Sequence, residues 1–463
     1  MQDHRAAASH HLVFAERYAA GKERRRFVAR ESLADFSPVE RDPTAILAAT
    51  DEGRVASLLP IRYERMAHSP FSFLRGAASI MAEDLAALPT PGLAAQSCGD
   101  CHLMNFGALL SSEGNVLFDI NDFDETLPNV DFTVDLRRLC ASFAVAALDA
   151  GRSEKRARQA AEIAARGYRR HMRGLSHLSP LKAWRDRIDL VHVADGLDER
   201  LARKLRGLVA ATRPDREDDN FPHLDSTPLG LRIEERPPLI YHIGNGGCDA
   251  TRFDIPATFA SCGATLNPEV VALLRRYALT DTAFKVVGIG SVGTFCAIGL
   301  FATADNEPLF LQLKEARPSV LARLAPEAAA QWKDAEGKRV VHGQRVMQAS
   351  TDLFLGWAKD ESTGRHFYVR HLKNRRLGSV AELFEEHALD DYAALCGSVL
   401  ARAHARSADP AIICGYMGKS SAFDDAMASF AMLYAARNTC DHAEFLAWRA
   451  KAKNETQGSA DEA

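Results

Sequence analysis

Residues 285–301, KVVGIGSVGTFCAIGLF, set two apolar runs on either side of a glycine-spaced turn, and a third apolar run, LFLQLKEA, follows the turn Asp305-Asn306-Glu307-Pro308. This stretch constrains the fold more than any other. Gly288, Gly290 and Gly293 form the G-x-G-x-x-G pattern. In a dinucleotide-binding turn a helix must follow, so that its N-terminus meets a pyrophosphate. Here Thr294, Phe295, Cys296 and Ile298 favour a strand, and Gly299 is poor inside a helix. Lys314 then falls within the third run. The order is strand, glycine loop, strand, turn, strand with an inward lysine, which suits a grip on nucleotide phosphates by Gly288, Gly290, Ser291, Gly293 and Lys314. Two other readings fit the same residues. One is a dinucleotide turn with Glu315 as ribose acceptor, implying an NAD(P)-binding oxidoreductase. The other is an ordinary glycine hairpin beside a surface lysine.

A second stretch, CGDCHLMNFG at residues 98–107, contains Cys-x-x-Cys-His, the attachment signature of a c-type haem. Its cysteine pair also matches half a zinc site, but the chain has no other Cys-x-x-Cys. The nine cysteines are an odd number scattered among apolar residues, as expected of reduced thiols rather than a disulfide framework. No export signal or long apolar span is evident, so a cytoplasmic protein without membrane contact is expected. The net charge of -4 gives no global basic field for nucleic acid.

Asp100, Asn105, Asp119, Asp122, Asp124 and Glu125 lie close together in sequence, and NDFDE follows the apolar run VLFDI. A hard cation such as Mg²⁺ takes oxygen ligands, often one or two carboxylates plus substrate phosphates. The plain alternative is an acidic turn that caps the helix beginning near Asp131. The 463 residues imply two or three lobes. Expected boundaries are an N-terminal helical extension (1–60), a helical lobe with the acidic loops (61–262), a β-rich nucleotide lobe (263–375), C-terminal helices returning to the helical lobe (376–450) and a polar tail (451–463). A helix is expected over 73–88, and strands over 116–120 and 366–373. Residues 213–262 read as irregular.

RYERMAHSPFSFLRG, CGDCHLMNFG, FDINDFDE, VDLRRL, VGIGSVGT, LQLKEA, GQRVMQ, LFLGW and LARAHARS together resemble an uncharacterised bacterial family, domain of unknown function 2252. That resemblance implies no reaction. A second one does. GDCHLMN is similar to the Gly-Asp-x-His-x-x-Asn catalytic loop of aminoglycoside phosphotransferases and choline kinase relatives, and NDFDE to their metal-binding segment. This implies an α+β, protein kinase-like bilobal fold with ATP and Mg²⁺ as cofactors. It implies Asp100 as catalytic base, His102 in the same loop, and Asn105 and Asp122 as metal ligands with Asp124 beside them; among Asp119, Asp122 and Asp124, the Asp-Phe that follows the apolar run favours Asp122. Asp135 would brace the loop. In kinases the glycine loop precedes the catalytic loop, whereas here Asp100 precedes Gly288, so the resemblance requires a circular permutation. DDYAALCGSVLARAHARS then resembles the helix that leads into the catalytic loop, and HFYVRHLK the hinge strand before it.

The chain departs from the kinase pattern at one point: VVHGQRVMQASTDLFLGW, the stretch expected to pair with Lys314, offers Gln344 and Gln348 but no glutamate. Arg75 and Arg370 suit either bidentate phosphate binding or a buried ion pair with Asp100 or Asp124. His404 suits a structural role beside the catalytic loop. The expected function is an ATP/Mg-dependent phosphotransferase with an unspecified small-molecule or protein acceptor. The alternatives are a catalytically inactive nucleotide-binding regulator and the oxidoreductase.

Overall fold

The chain is described from a computed structural model that covers residues 12–461, apart from 37–39, 112, 192–198, 200–201, 204–205, 208–221, 228–229, 243–252, 287 and 373–387. Five short helices open it: α1 (Phe14–Glu23), α2 (Pro43–Ala49), α3 (Leu59–Ala67), α4 (Pro70–Gly76) and α5 (Ala78–Ala86). The helix expected over 73–88 is broken at Ala77, whose backbone leaves the helical region. Gly76, just before the break, sits against α3, where a Cβ would lie 2.6 Å from the Met66 sulfur.

Strands β1 (Ala94–Ser97), β2 (Phe106–Leu110), β3 (Val116–Ile120) and β4 (Leu127–Asp131) follow, with β2–β3 a hairpin nested inside the β1–β4 pair. Next come α6 (Thr133–Asp149), α7 (Glu154–Ser176) and α8 (Pro180–Trp184). Helix α6 is buried on every side, even at Arg137 and Arg138, which marks it as the central helix of the main core.

The described part of the segment read as irregular holds a hairpin, β5 (Leu224–Thr227) and β6 (Gly230–Ile233), then β7 (Ile240–Tyr241) and α9 (Ile255–Cys262), and α10 (Pro268–Leu274) follows it. Strands β8 (Ala278–Lys285), β9 (Cys296–Ala302) and β10 (Pro308–Ala316) form an antiparallel meander. Helices α11 (Pro326–Trp332) and α12 (Glu336–Met347) separate it from β11 (Gly356–Lys359) and β12 (His366–His371). The sheet order is β11-β12-β10-β9-β8-β7. Strand alternation sorts its faces. Leu311, Leu313, Phe367 and Val369 pack with Ile255 and Phe259 of α9. Gln312, Lys314, Tyr368 and Arg370 therefore point the other way. The chain closes with α13 (Ala388–His404), α14 (Pro410–Met417) and α15 (Ala422–Asp461). This is a helix-rich α+β architecture with an antiparallel sheet.

Helices α7 and α13 cross at small residues. Ala157, Ala160, Ala161, Ala164 and Ala165 of α7 are buried at helical spacing. A Cβ on Gly397 would come within 2.1 Å of the Ala164 carbonyl oxygen. A backbone oxygen cannot rotate away, so Gly397→Ala is expected to lose about 1–3 kcal/mol of stability, although alanine is the better helix former by roughly 1 kcal/mol. Chemical denaturation of the two proteins checks the sign.

Candidate active site

Two loops from the helical region and one from the sheet meet at a cavity of about 310 Å³. The first loop leaves β1 at Ser97. Gly99 has φ +91°, and a Cβ there would lie 2.5 Å from the Glu125 carbonyl oxygen, so only glycine lets the two acidic loops approach this closely. Asp135, in the first turn of α6, fixes the loop from below. It accepts hydrogen bonds from Ser97 Oγ (2.6 Å), the Cys98 amide (2.8 Å) and the Gly99 amide (3.0 Å), and lies 3.2 Å from His404 Nε2. His404 Nδ1 in turn meets the Tyr168 hydroxyl at 2.9 Å.

Cys98 and Cys101 are buried beside Asp135. Burial, above all, pushes the Cys98 thiol well up and the Cys101 thiol up to about 11, which keeps both neutral. Zinc is bound by thiolates, usually four ligands in all, and both Asp135 oxygens are already engaged. The pair fits a structural role.

Asp100 heads the loop. Its Oδ1 accepts from Arg138 Nε (3.0 Å) and Nη2 (2.6 Å), and its Oδ2 lies 3.7 Å from His102 Nε2. Burial pushes Asp100 above the usual carboxylate range, against the pull of Arg138. The guanidinium hydrogen-bonded to Asp100 is thus Arg138 of VDLRRL, and the charge of Arg75 adds to its pull. Arg138 follows Asp135 by one short turn of α6, so one helix face serves both carboxylates. That spacing was the available signal. His102 Nδ1 accepts the Met104 amide at 3.2 Å, which shapes the loop. Asn105 Nδ2 donates to the Asp100 carbonyl at 2.7 Å, leaving the amide oxygen as the atom it can offer a cation.

The second loop follows β3. Asp119 is buried against Arg402 and accepts the Ala349 amide at 2.8 Å, so it belongs to the frame. Asp122 Oδ1 accepts the Asp124 amide at 3.1 Å. Asp124 Oδ2 takes the Lys314 ammonium at 2.7 Å and Ser291 Oγ at 3.2 Å, while its Oδ1 accepts the Tyr368 hydroxyl. Burial and then Asp124 hold Asp122 above its ordinary range. Burial acts the same way on Asp124, but Lys314 outweighs it and holds that carboxyl low. Lys314 is 4% exposed, and Asp124 raises its pKa against the cost of burial.

The third loop is the glycine turn between β8 and β9. Gly288 and Gly293 have φ of +70° and +86°. Gly288, Gly290 and Ser291 line the cavity with Asp100, His102 and Asn105. Asp122 and Asp124 line it too, and Lys314 reaches it through Asp124. Gly293 closes the turn, its carbonyl accepting the Val55 amide at 2.8 Å.

Glutamines 344 and 348 do not pair with the lysine. Gln344 Nε2 donates to Gln348 Oε1, and Gln348 Nε2 to the Ile120 carbonyl. Helix α12 acts instead through Arg339, which donates to the carbonyls of Asp124, Thr126 and Arg317 and so fixes the acidic loop. Residue identity alone offers no cue to Arg339, nor to Arg54 and Arg65, which donate to the glycine-loop carbonyls of Gly290, Val292 and Gly288.

No curated protein and no solved structure gives a significant match to the chain. Among the described residues, no helix is long and apolar enough to cross a membrane. A bacterial family model matches residues 54–448, a span that holds the three loops and Lys314. The chain therefore belongs to the family described as "uncharacterized protein conserved in bacteria" (DUF2252).

Proposed function

We propose that the cavity is a nucleotide site and that the protein is an ATP- and Mg²⁺-dependent phosphotransferase built as a circularly permuted, kinase-like fold. The observation that carries this is the 2.7 Å pair between Lys314 and Asp124, two residues 190 positions apart, with Ser291 of the glycine turn on the same carboxylate oxygen. The sheet supports it as well. Glycine turn, second strand, lysine strand, helix and hinge strand occur in the order a kinase nucleotide lobe needs, and β9 follows the turn where a dinucleotide site would need a helix. The donor set is hard: two carboxylates at Asp122 and Asp124 and the amide oxygen of Asn105. These would hold Mg²⁺, whose chemistry is to neutralise phosphate charge.

An ammonium has three protons, and with one on Asp124 the others remain available for phosphate. Asp100 orients the acceptor hydroxyl and takes its proton as the new O–P bond forms and the bond from the γ-phosphorus to the bridging oxygen breaks. The leaving group departs as ADP. Positioning and charge compensation supply most of such a rate enhancement.

The direct test is an equilibrium titration of the full chain with ATP, with and without Mg²⁺. The wild type is expected to bind ATP more tightly with Mg²⁺, and Asp122→Asn to lose at least about tenfold of that gain, or roughly 1.4 kcal/mol. ATP binding that ignores Mg²⁺ and both Asp122→Asn and Lys314→Met, or selective binding of NAD(P), sinks the proposal. A second reading, a nucleotide-binding regulator without transfer, draws on the missing glutamate partner of Lys314 in α12.

A further inference from the structure

One wall of the cavity takes no part in the chemistry above. Arg54, Arg62 and Arg317 converge there. Arg62, 1% exposed, donates from Nη1 to Asp51 at 2.7 Å and from Nη2 to the Gly76 carbonyl at 3.3 Å. Its Nε is buried and has no hydrogen-bond partner among the described residues. Arg54 lies 3.8 Å from the same Asp51, and Arg317 donates to the Thr50 and Glu52 carbonyls. Asp51 also accepts the Tyr63 hydroxyl. Among the described residues it is the only carboxylate in an ion pair with Arg54 or Arg62, and Arg317 meets only backbone carbonyls. Burial first, then Arg62 and Arg317, push Arg54 down to about 9, as expected of a cation short of counter-charge. Of the carboxylates lining the cavity, Asp100 is answered by Arg138, Asp124 by Lys314, Glu315 by Arg365 and Glu125 by the Val320 amide, while Asp122, the candidate metal ligand, accepts the Asp124 amide.

A helix end reaches the same wall. Helix α5 starts at Ala78 without a capping side chain, and Gly76, Ala78 and Ser79 line the cavity. The first-turn amides of a helix have no intrahelical acceptor and favour an anion. Ser79 Oγ is buried and has no partner among the described residues. An uncapped helix N-terminus, an unpartnered hydroxyl and an unpartnered buried guanidinium nitrogen thus share one cavity with Asp100.

We propose that this wall is an anion subsite, and that the phosphoryl acceptor is itself an anion: an alcohol carrying a phosphate or a carboxylate, held by the α5 N-terminus, Ser79 and Arg62. The identity of the acceptor rests on the phosphotransfer reading; the subsite itself does not. The nucleotide's own phosphates offer the same chemistry, so the test must separate the two.

Calorimetric titration of the full chain with inorganic phosphate, with and without saturating Mg²⁺ and a non-hydrolysable ATP analogue, does so. The variant is Ser79→Asp. It places a carboxylate in the first turn of α5, where the helix end stabilises it, so it is expected to melt no lower than wild type. Wild type is expected to bind phosphate under both conditions, and Ser79→Asp to weaken that binding at least about tenfold. Phosphate binding that the analogue displaces, that Lys314→Met removes and that Ser79→Asp leaves intact places the ion in the nucleotide cradle and overturns the subsite. Absence of phosphate binding to wild type also overturns it. Phosphate binding that is sensitive to Ser79→Asp in a chain that binds no ATP upholds the subsite and overturns the phosphotransfer reading.

Discussion

Asp135→Ala is expected to cost about 3–5 kcal/mol of folding stability, the penalty for breaking a buried charged network from one side. The carboxylate accepts from Ser97, from the Cys98 and Gly99 amides and from His404, all of them buried or nearly so. Its removal leaves two buried amides without an acceptor, each an added desolvation penalty. Urea unfolding of wild type and variant measures the loss. The pH dependence follows from the direction of the shift. Burial is the largest single influence on Asp135 and acts to raise it, but His404, Ser97 and the Cys98 amide together hold it below its ordinary range. A depressed carboxyl contributes stability that is full above its unfolded pKa of about 3.9 and is lost as pH falls through the folded value. The gap between the two proteins should be complete at neutral pH and shrink below roughly pH 4. A gap that does not change down to the acid transition would mean that packing, not the carboxylate, dominates at this position.

Asp100→Asn is expected to lower Mg²⁺-dependent phosphate release from ATP by about 10²–10⁴-fold, the usual contribution of a positioned base. Nucleotide affinity should hold, since Asn105, Asp122, Asp124 and Lys314 are untouched. Asparagine keeps an oxygen for Arg138, so the variant should fold, and its melting temperature serves as the control. Unchanged turnover in Asp100→Asn would remove Asp100 from the reaction. A wild type that binds ATP but never releases phosphate, even with anionic alcohols present, would favour the regulatory reading.

Local chemistry decided what could be read from the sequence. The glycine turn and the strands around it were legible because turn residues and β-branched or aromatic runs carry their own geometry. The kinship of CGDCHLMNFG, NDFDE and VDLRRL to a family was legible because those motifs are contiguous. The helix break at Ala77 was not, because alanine is a strong helix former and carries no turn signal of its own. The hydrogen-bonded partner of Asp100 was not legible either. Arg75 and Arg370 stand out by motif, and only the direction of α6 brings Arg138 onto the carboxylate. Among Asp119, Asp122 and Asp124 the sequence pattern favours Asp122, but the carboxylate that meets Lys314 is Asp124, selected by the side-chain directions of a tight turn. Arg339 and Arg54 act on backbone carbonyls, which leave no trace in residue identity.

The brace on the first acidic loop has a consequence for the order in which the protein comes into being. His404, which completes the Asp135 network, lies 269 residues downstream of it, and Arg402, the counter-ion of Asp119, lies 283 residues downstream. A ribosome-bound chain that has emerged only as far as the glycine turn already contains Asp100, Asn105 and Asp122, with Asp135 and Arg138 to hold the first loop, but it lacks His404 and Arg402. The loops gain the last of their supports only once α13 has been synthesised and has docked on α7. Unfinished chains would therefore carry the residues of the candidate site without its full bracing, and the cavity is completed late in translation.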